Sequence, residues 1–371
     1  MIERVTKGKY SIESKIGYQL GIEKYKNIET IKNFVKNCDK FNEQFEILNY
    51  INSGSCGIVY EGKIRHSKNK KVALKFILNK IIENKNEKER NDRNAKDKLD
   101  KKIHREITLQ SLLKHKNITN LYGVYATPHD SFCMVMELAK FGDLEYLFNK
   151  IRKTTKRINL SETFLAYITK QILNALLYCR NTRIVHMDIK QQNILINENL
   201  QIKLADLSIS FSYFKIPDNT NFTLPLAGTS VFISPEVLFR KEINSENAHK
   251  VDLYSLGVLL YSLAYCKYPY ELSYNDKKEF NLIKEKIANN NLEIPINKGY
   301  SKLFEDFVSK LLNKDINNRI SIDEAINHSW IKAARLIFLE KEKFGDVEKF
   351  LLNMVTNNVK PFTDYLHNNS L

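Results

Sequence analysis

The spacing of hydrophobic positions changes along this chain, and each change predicts an element. From Phe45 to Tyr50 (FEILNY) and from Val72 to Leu78 (VALKFIL), short runs rich in β-branched and aromatic residues alternate with turns, which predicts a hairpin-rich sheet. Ahead of them, residues 1–44 are a polar, Lys-rich extension in which Ile28, Ile31, Phe34 and Val35 fall at helical spacing, predicting one short amphipathic helix. Residues 79–102 are too charged to bury a face and predict an exposed insertion. Helical periodicity returns with IHREITLQSLLKH. Beyond residue 140 helices dominate, the clearest being FLAYITKQILNALLYC, Phe164 to Cys179, with its broad apolar face. After Trp330 the chain stays helix-compatible, notably in DVEKFLLNMV, and ends in a polar tail. A small β-rich region therefore precedes a larger helical one, without internal repeats.

Composition narrows the class. With 371 residues, 43% hydrophobic and 11% aromatic, the chain can bury two or three lobes' worth of core and is not a disordered polymer. Its cysteines, at 38, 56, 133, 179 and 266, form no C-x-x-C pair or His/Cys cluster, so neither a disulfide framework nor a zinc site is indicated, and a reducing compartment is the simplest expectation. The start, MIERVTKGKY, lacks an apolar h-region and has Ile at position 2, so neither a signal peptide nor N-myristoylation is expected. No apolar run reaches membrane-spanning length. A soluble protein of the cytoplasm is expected, with the nucleus also open. The net charge of +15 and pI of about 9.3 raise the thought of nucleic acid, but the excess is Lys scattered among Asn and Ile, with no Arg-rich arm. A solvated basic surface accounts for it, and no nucleic-acid partner is expected.

Five short segments carry candidate chemistry. In INSGSCGIVY, Ile51 to Tyr60, Gly54 and Gly57 permit close backbone approach to an anion, although the same residues also make an ordinary hairpin. VALK places Lys75 on a strand with Ala73, and HREI offers Glu106 on a helix; alone, each is an ordinary solvated side chain. IVHMDIKQQNILI sets Asp188, Lys190 and Asn193 in a polar loop between apolar runs, and IKLADLSIS places Asp206 at the end of another.

This ordered set resembles the protein-kinase signature of glycine loop, V-A-I-K, H-R-D-L-x-x-x-N, D-F-G and A-P-E, the last seen here in GTSVFISPE, Gly228 to Glu236. The resemblance covers about residues 45–331 and implies an α+β bilobal fold: a small β-rich N-lobe with one main helix (about 45–136), a hinge (about 137–143) and a larger helical C-lobe (about 144–331). Residues 332–371 would be a helical tail. It implies a Ser/Thr kinase that uses ATP and Mg²⁺, because Lys190 follows Asp188 by two residues and Thr229 stands in GTS. By the same resemblance Lys75 holds the α- and β-phosphates and is positioned by Glu106. Asn193 and Asp206 bind Mg²⁺, Asp188 accepts the proton of the substrate hydroxyl, and Lys190 steadies the phosphoryl group. Ile51, Asn52, Gly54, Ser55, Cys56 and Gly57 form the phosphate lid, with Cys56 at its tip. Val59 and Ala73 lie above the adenine and Leu195 below, Glu137 and Ala139 offer hinge backbone, Met136 guards the rear pocket, and Asp143 binds ribose. Glu236 is expected to pair with Arg319.

Several positions depart from the family pattern. Met187 replaces the H-R-D arginine, so it cannot clamp a phosphate, and Pro225 stands where relatives carry the activating phosphothreonine. Activity is thus expected not to need phosphorylation there, with Thr220 and Thr223 as weaker candidates. Ser208 replaces the D-F-G glycine. Asn52 replaces the first loop glycine and is tolerable because Asn enters left-handed backbone conformations. Gln110 puts an amide where an apolar residue is usual, which predicts a loosely docked helix. Gln192, neutral where kinases of basic substrates carry Glu, predicts protein substrates that are not strongly basic. The HREI helix with the long insertion before it marks no familiar subgroup and suggests an orphan or lineage-specific kinase. The alternative is a pseudokinase scaffold on the same fold.

Overall fold

The computed structural model describes residues 26–54, 57–77, 93–128, 131–155, 160–270, 272, 280–295, 299–343, 347–357, 363, 364, 366 and 368. The chain divides into two compact units, Met1–Lys114 with Thr119–Leu138, and His115–Ile118 with Ala139–Leu371.

In the first unit, β1 (Phe45–Gly54), β2 (Gly57–Ile64), β3 (Lys71–Ile77), β4 (Leu121–Thr127) and β5 (Ser131–Glu137) form an antiparallel sheet in the order β1-β2-β3-β5-β4. The two-residue side-chain period of β3 sends Val72, Leu74 and Phe76 into one core and leaves Ala73 and Lys75 on the other face. That core is closed by the segment ahead of the sheet. Ile31, Val35 and Phe41 are buried in the same cluster as Ile47, Tyr60, Phe76 and Val135, and the Phe41 ring meets Phe76 and Tyr125 edge-on at 5.8 and 6.1 Å. The expected amphipathic helix is present as α1 (Ile28–Phe34), capped by Asn27, whose side chain accepts from Glu29 N at 2.8 Å. A second short helix, α2 (Asp39–Asn42), follows it, and Asn42 Nδ2 donates to Val35 O at 2.7 Å to close the turn. Residues 28–41 are therefore part of this unit's core rather than a separate extension, because the strands present an apolar face that something must cover.

A further correction concerns the charged insertion. Helix α3 (Arg93–Leu112) takes in its last ten residues, 93–102. The stretch RNAKDKLDKK contains no Gly or Pro and four of its ten residues are Lys, a good helix former, so it extends a helix already nucleated by the apolar turns that follow. Residues 78–92 lie outside the described ones.

In the second unit, α4 (Leu144–Thr155) and α5 (Glu162–Asn181) lead into short strands β6 (Ile184–Val185), β7 (Ile194–Ile196) and β8 (Ile202–Leu204). Ser161 caps α5, accepting from Phe164 N at 3.1 Å. After β9 (Phe211–Ser212), β10 (Asn221–Phe222), α6 (Pro235–Leu238) and β11 (Ile243–Asn244) comes the central α7 (Lys250–Tyr265), buried on every side from Val251 to Ala264. A Cβ added at Gly257 would come within 2.9 Å of Leu311 and Leu312, so a glycine lets α7 and α9 (Lys302–Leu311) pack closely. Helix α8 (Phe280–Asn289) precedes α9, and α10 (Ile322–Asn327) follows with a Ser321/Glu324 capping box. The expected boundary at residue 331 falls inside α11 (Ser329–Lys343), whose Trp330, Ala333, Ala334 and Ile337 are buried. Helix α12 (Val347–Thr356) buries Met354 and Val355, and Ser161 N donates to Val355 O at 3.0 Å. Part of the expected tail is thus packed onto this unit. No helix among the described residues is long and apolar enough to cross a membrane.

Candidate active site

The candidate residues fall into two groups, one in each unit. In the first unit, β1 and β2 meet at the pair Gly54 and Gly57. Gly57 has φ +153°, and a Cβ there would lie 2.3 Å from Phe76 O, so only glycine lets β2 close on β3. Ile51 is exposed. Asn52 sits in β1 opposite Val59 without a left-handed backbone, and its side chain accepts from Ser53 N at 2.8 Å; the conformational reason expected for an asparagine there does not apply. Ser55 and Cys56, and with them the expected thiol at the loop tip, lie outside the described residues. Val59 pairs in register with Lys75, and Ala73 with Met136.

Lys75 and Glu106 are both buried and joined directly, Nζ to Oε1. Such a pair endures burial only because each charge compensates the other. The anticipated weakness of α3 is not found: buried Gln110 donates its amide to Thr119 O, which removes the penalty of an unpaired polar group. Glu137 ends β5, its N–H donating to Asn120 O at 3.0 Å and its carboxylate accepting from Asn120 Nδ2 at 3.0 Å.

In the second unit, Asp188 is the centre of a closed network. One carboxylate oxygen accepts from Thr229 N at 3.1 Å and Thr229 Oγ1 at 3.0 Å, and the other takes Lys190 Nζ at 2.7 Å and Asn193 Nδ2 at 2.9 Å. Lys190 Nζ also donates to Thr229 Oγ1 at 2.9 Å. Asn193 holds the loop's shape by donating to Asp188 O at 2.8 Å and accepting from Ala205 N at 2.9 Å, which ties it to the stretch carrying Asp206. Asp206 has φ +66° and accepts from Ser208 N at 3.2 Å. Leu207 is fully buried, and Ser208 needs no left-handed backbone, so the missing glycine leaves no strain. Leu195 bridges to Asp143, and Ala139 O accepts from Gly142 N at 3.1 Å. The Asp143 carboxylate accepts from Tyr146 N at 2.8 Å, capping α4, and burial raises its pKa.

The loop before Asp188 hangs on a residue that motif reading left without a role. Asp252, at the start of α7, accepts from His186 N at 2.7 Å and Met187 N at 2.8 Å. It is buried, which raises its pKa. Met187 is held in the left-handed region at φ +68°, a cost of about 1–3 kcal/mol that persists only when the surroundings enforce it. Gly228, at φ +112°, brings the backbone so close that a Cβ would lie 2.7 Å from Met187 O. Just beyond, Glu236 and Arg319 form the expected bidentate pair at 2.7 and 2.9 Å, both buried.

The donor types that Asn193 and Asp206 carry suit a hard cation. Asn193 gives its amide nitrogen to Asp188 and its backbone carbonyl to Ala205 N, next to Asp206 in sequence; an amide oxygen and a carboxylate are the donor types Mg²⁺ takes, held by one or two carboxylates plus phosphate rather than by a full protein cage. Among the described residues no group of three His, Cys, Asp or Glu side chains gathers as a tighter metal site would require.

The sheet with its buried Lys–Glu pair and the Asp188 loop define a protein kinase domain: the family's profile matches residues 45–331, and the chain belongs to that family, which uses ATP and Mg²⁺. The chain is 31% identical over 289 residues to Aurora kinase A-B of Xenopus laevis, covering 78% of this chain and 62% of that protein. It is 28% identical over 289 residues to serine/threonine-protein kinase PLK4 of Drosophila yakuba, covering 78% and 33%. The match thus spans between a third and somewhat under two thirds of these relatives' lengths.

Proposed function

We propose that the protein transfers a phosphoryl group from ATP to Ser or Thr hydroxyls of protein substrates. The observation that carries this reading is the seat of Thr229. Its hydroxyl lies 3.0 Å from Asp188 Oδ1 and 2.9 Å from Lys190 Nζ, so an aliphatic alcohol is already held between a carboxylate and an ammonium. A substrate Ser or Thr presents the same group. Asp188 orients that hydroxyl and accepts its proton, while Lys190 offsets charge on the oxygens of the group in transfer. Bound Mg-ATP supplies the phosphoryl group and the neutralising cation. Lys75, aimed by Glu106, takes the α- and β-phosphates, Asn193 and Asp206 take the cation, and the remaining residues named above for the lid, adenine, hinge and ribose take the roles the family gives them.

The kinase unit of 45–331 is the catalytic part in this reading, acting in the cytoplasm on substrates that are not strongly basic. The test is transfer of labelled phosphate from ATP to a generic protein acceptor by the wild type and by Asp188→Asn. Removing a positioned base is expected to lower the rate about 10²–10⁴-fold with nucleotide binding retained, and acid hydrolysis of the product should return phosphoserine or phosphothreonine. Nucleotide binding without transfer by the wild type would instead favour the pseudokinase reading.

A further inference from the structure

The stretch from Leu207 to Glu236 ends on the Asp188 network through Gly228 and Thr229, so its shape decides whether the proposed peptide site is formed. Its beginning is also pinned, but by nothing at Met187. Arg183, the residue immediately before β6 and the IVHMD motif, does the work from a left-handed backbone at φ +56°. Its carbonyl accepts from Tyr213 N at 2.9 Å, its guanidinium donates to Ile216 O at 2.5 Å and pairs with Asp218 at 2.5 Å, and the group lies 5.0 Å above the Tyr213 ring. Phe222 then stacks on Tyr213 and on Phe211, with centroids 6.0 and 5.9 Å apart. Strand pairs close both sides, β6 with β9 and β10 with β11.

These contacts differ in weight. The Asp218 side chain is 77% exposed, and an exposed ion pair contributes little by itself. Arg183 is only 24% exposed, and it makes the carbonyl bond and the ring contact as well. Arg183 is therefore the principal tie and Asp218 its helper.

We propose that Arg183 is a positioning residue that holds the activation segment in its substrate-receiving shape without any phosphate, the Asp218 carboxylate and the Tyr213 ring supplying what a phosphorylated side chain supplies elsewhere. The proposal rests on the kinase reading above for what the segment receives, and on geometry alone for how the segment is held. Two observations agree with it. Met187 is buried and uncharged, so no cation waits there for a phosphate, and Pro225 has no hydroxyl to modify.

The test uses the whole 371-residue chain freed of phosphate by a phosphatase and checked by mass spectrometry. It is expected to phosphorylate acceptor peptide at a rate that rises less than two-fold after autophosphorylation, with backbone amides of 211–223 protected from hydrogen exchange. Arg183→Met should raise the KM for peptide at least ten-fold while the KM for ATP stays within two-fold, and should speed exchange across 211–223. Arg183→Lys, which keeps charge but not the fork, should recover only part of the loss. If Arg183→Met does not fold, Asp218→Asn replaces it, with a smaller rise in exchange confined to 211–218 and an unchanged Tm. The proposal is overturned if phosphate-free protein requires phosphorylation of this segment for activity, or if the variants leave both peptide KM and exchange unaltered. Should no form of the protein transfer phosphate, the kinase reading fails, and exchange alone decides the clamp: protection that Arg183→Met abolishes supports it, and an unprotected segment in the phosphate-free wild type refutes it.

Discussion

Replacing Asp252 by alanine separates loop geometry from global stability. The carboxylate accepts two backbone N–H bonds, from His186 and Met187, both buried. Without it each donor is left unpaired at about 1–3 kcal/mol, so the observed loop shape loses about 2–6 kcal/mol, and the left-handed Met187 has nothing to enforce it. If the loop relaxes to escape that cost, the fraction in the Asp188-competent shape falls by about 30-fold to 10⁴-fold, since 1.4 kcal/mol is a factor of ten. An opposing effect acts on the whole fold. Burial already disfavours the Asp252 charge, as its raised pKa shows, so deleting the group also removes a desolvation cost. Tm should therefore fall modestly while kcat falls by at least 30-fold. Asp252→Asn keeps one acceptor and should lose about 5- to 150-fold, the effect of one unpaired donor. Steady-state peptide phosphorylation with a thermal melt on the same preparations measures both. A folded Asp252→Ala protein with kcat within three-fold of wild type would show that the loop does not depend on this carboxylate.

Three other perturbations follow from the packing. Phe41→Ala should destabilise the first unit by about 3–5 kcal/mol, and removal of residues 1–44 should lower its Tm and solubility by uncovering the sheet, whereas a free extension would leave both unaltered. Glu236→Gln strands the buried Arg319 charge and should cost about 3–5 kcal/mol in urea unfolding; a midpoint shift equivalent to under 1 kcal/mol would contradict the burial of that pair. Burial, with Arg180 and Lys250 nearby, pushes the His249 imidazole down to about 4 from its ordinary 6.5. The folded state thus prefers neutral His249, so its contribution is present above pH 6.5 and is lost as pH falls toward 4, by about 2 kcal/mol at pH 5. His249→Gln should flatten the stability decline between pH 7 and pH 5, measured by chemical unfolding at each pH; an unchanged slope would assign the acid sensitivity to other groups.

The amino-acid sequence alone determined the order of a β-rich and a helical part and the family, and it singled out Lys75, Glu106, Asp188, Lys190, Asn193 and Asp206 as candidates, because these lie in short motifs whose spacing is set by a strand, a loop or one turn of helix. It also identified Glu236 and Arg319 as partners. It could not say what covers an apolar face. The spacing of Ile28, Ile31 and Phe34 predicted a helix, but only the tertiary structure decided that α1 and α2 close the core behind β3. Helix length was likewise undecided at Arg93, since a charged run carries no periodicity to reveal that it continues the turns after it. Asp252 reaches back 65 residues to Met187, and Arg183 forward 35 to Asp218; such bonds depend on where the backbone brings a donor and an acceptor, which no local pattern encodes. Even the substituted positions changed meaning in three dimensions: Gln110 is paired and Ser208 and Asn52 are unstrained, because neighbours and backbone angles, not residue type, decide whether a departure from pattern carries a cost.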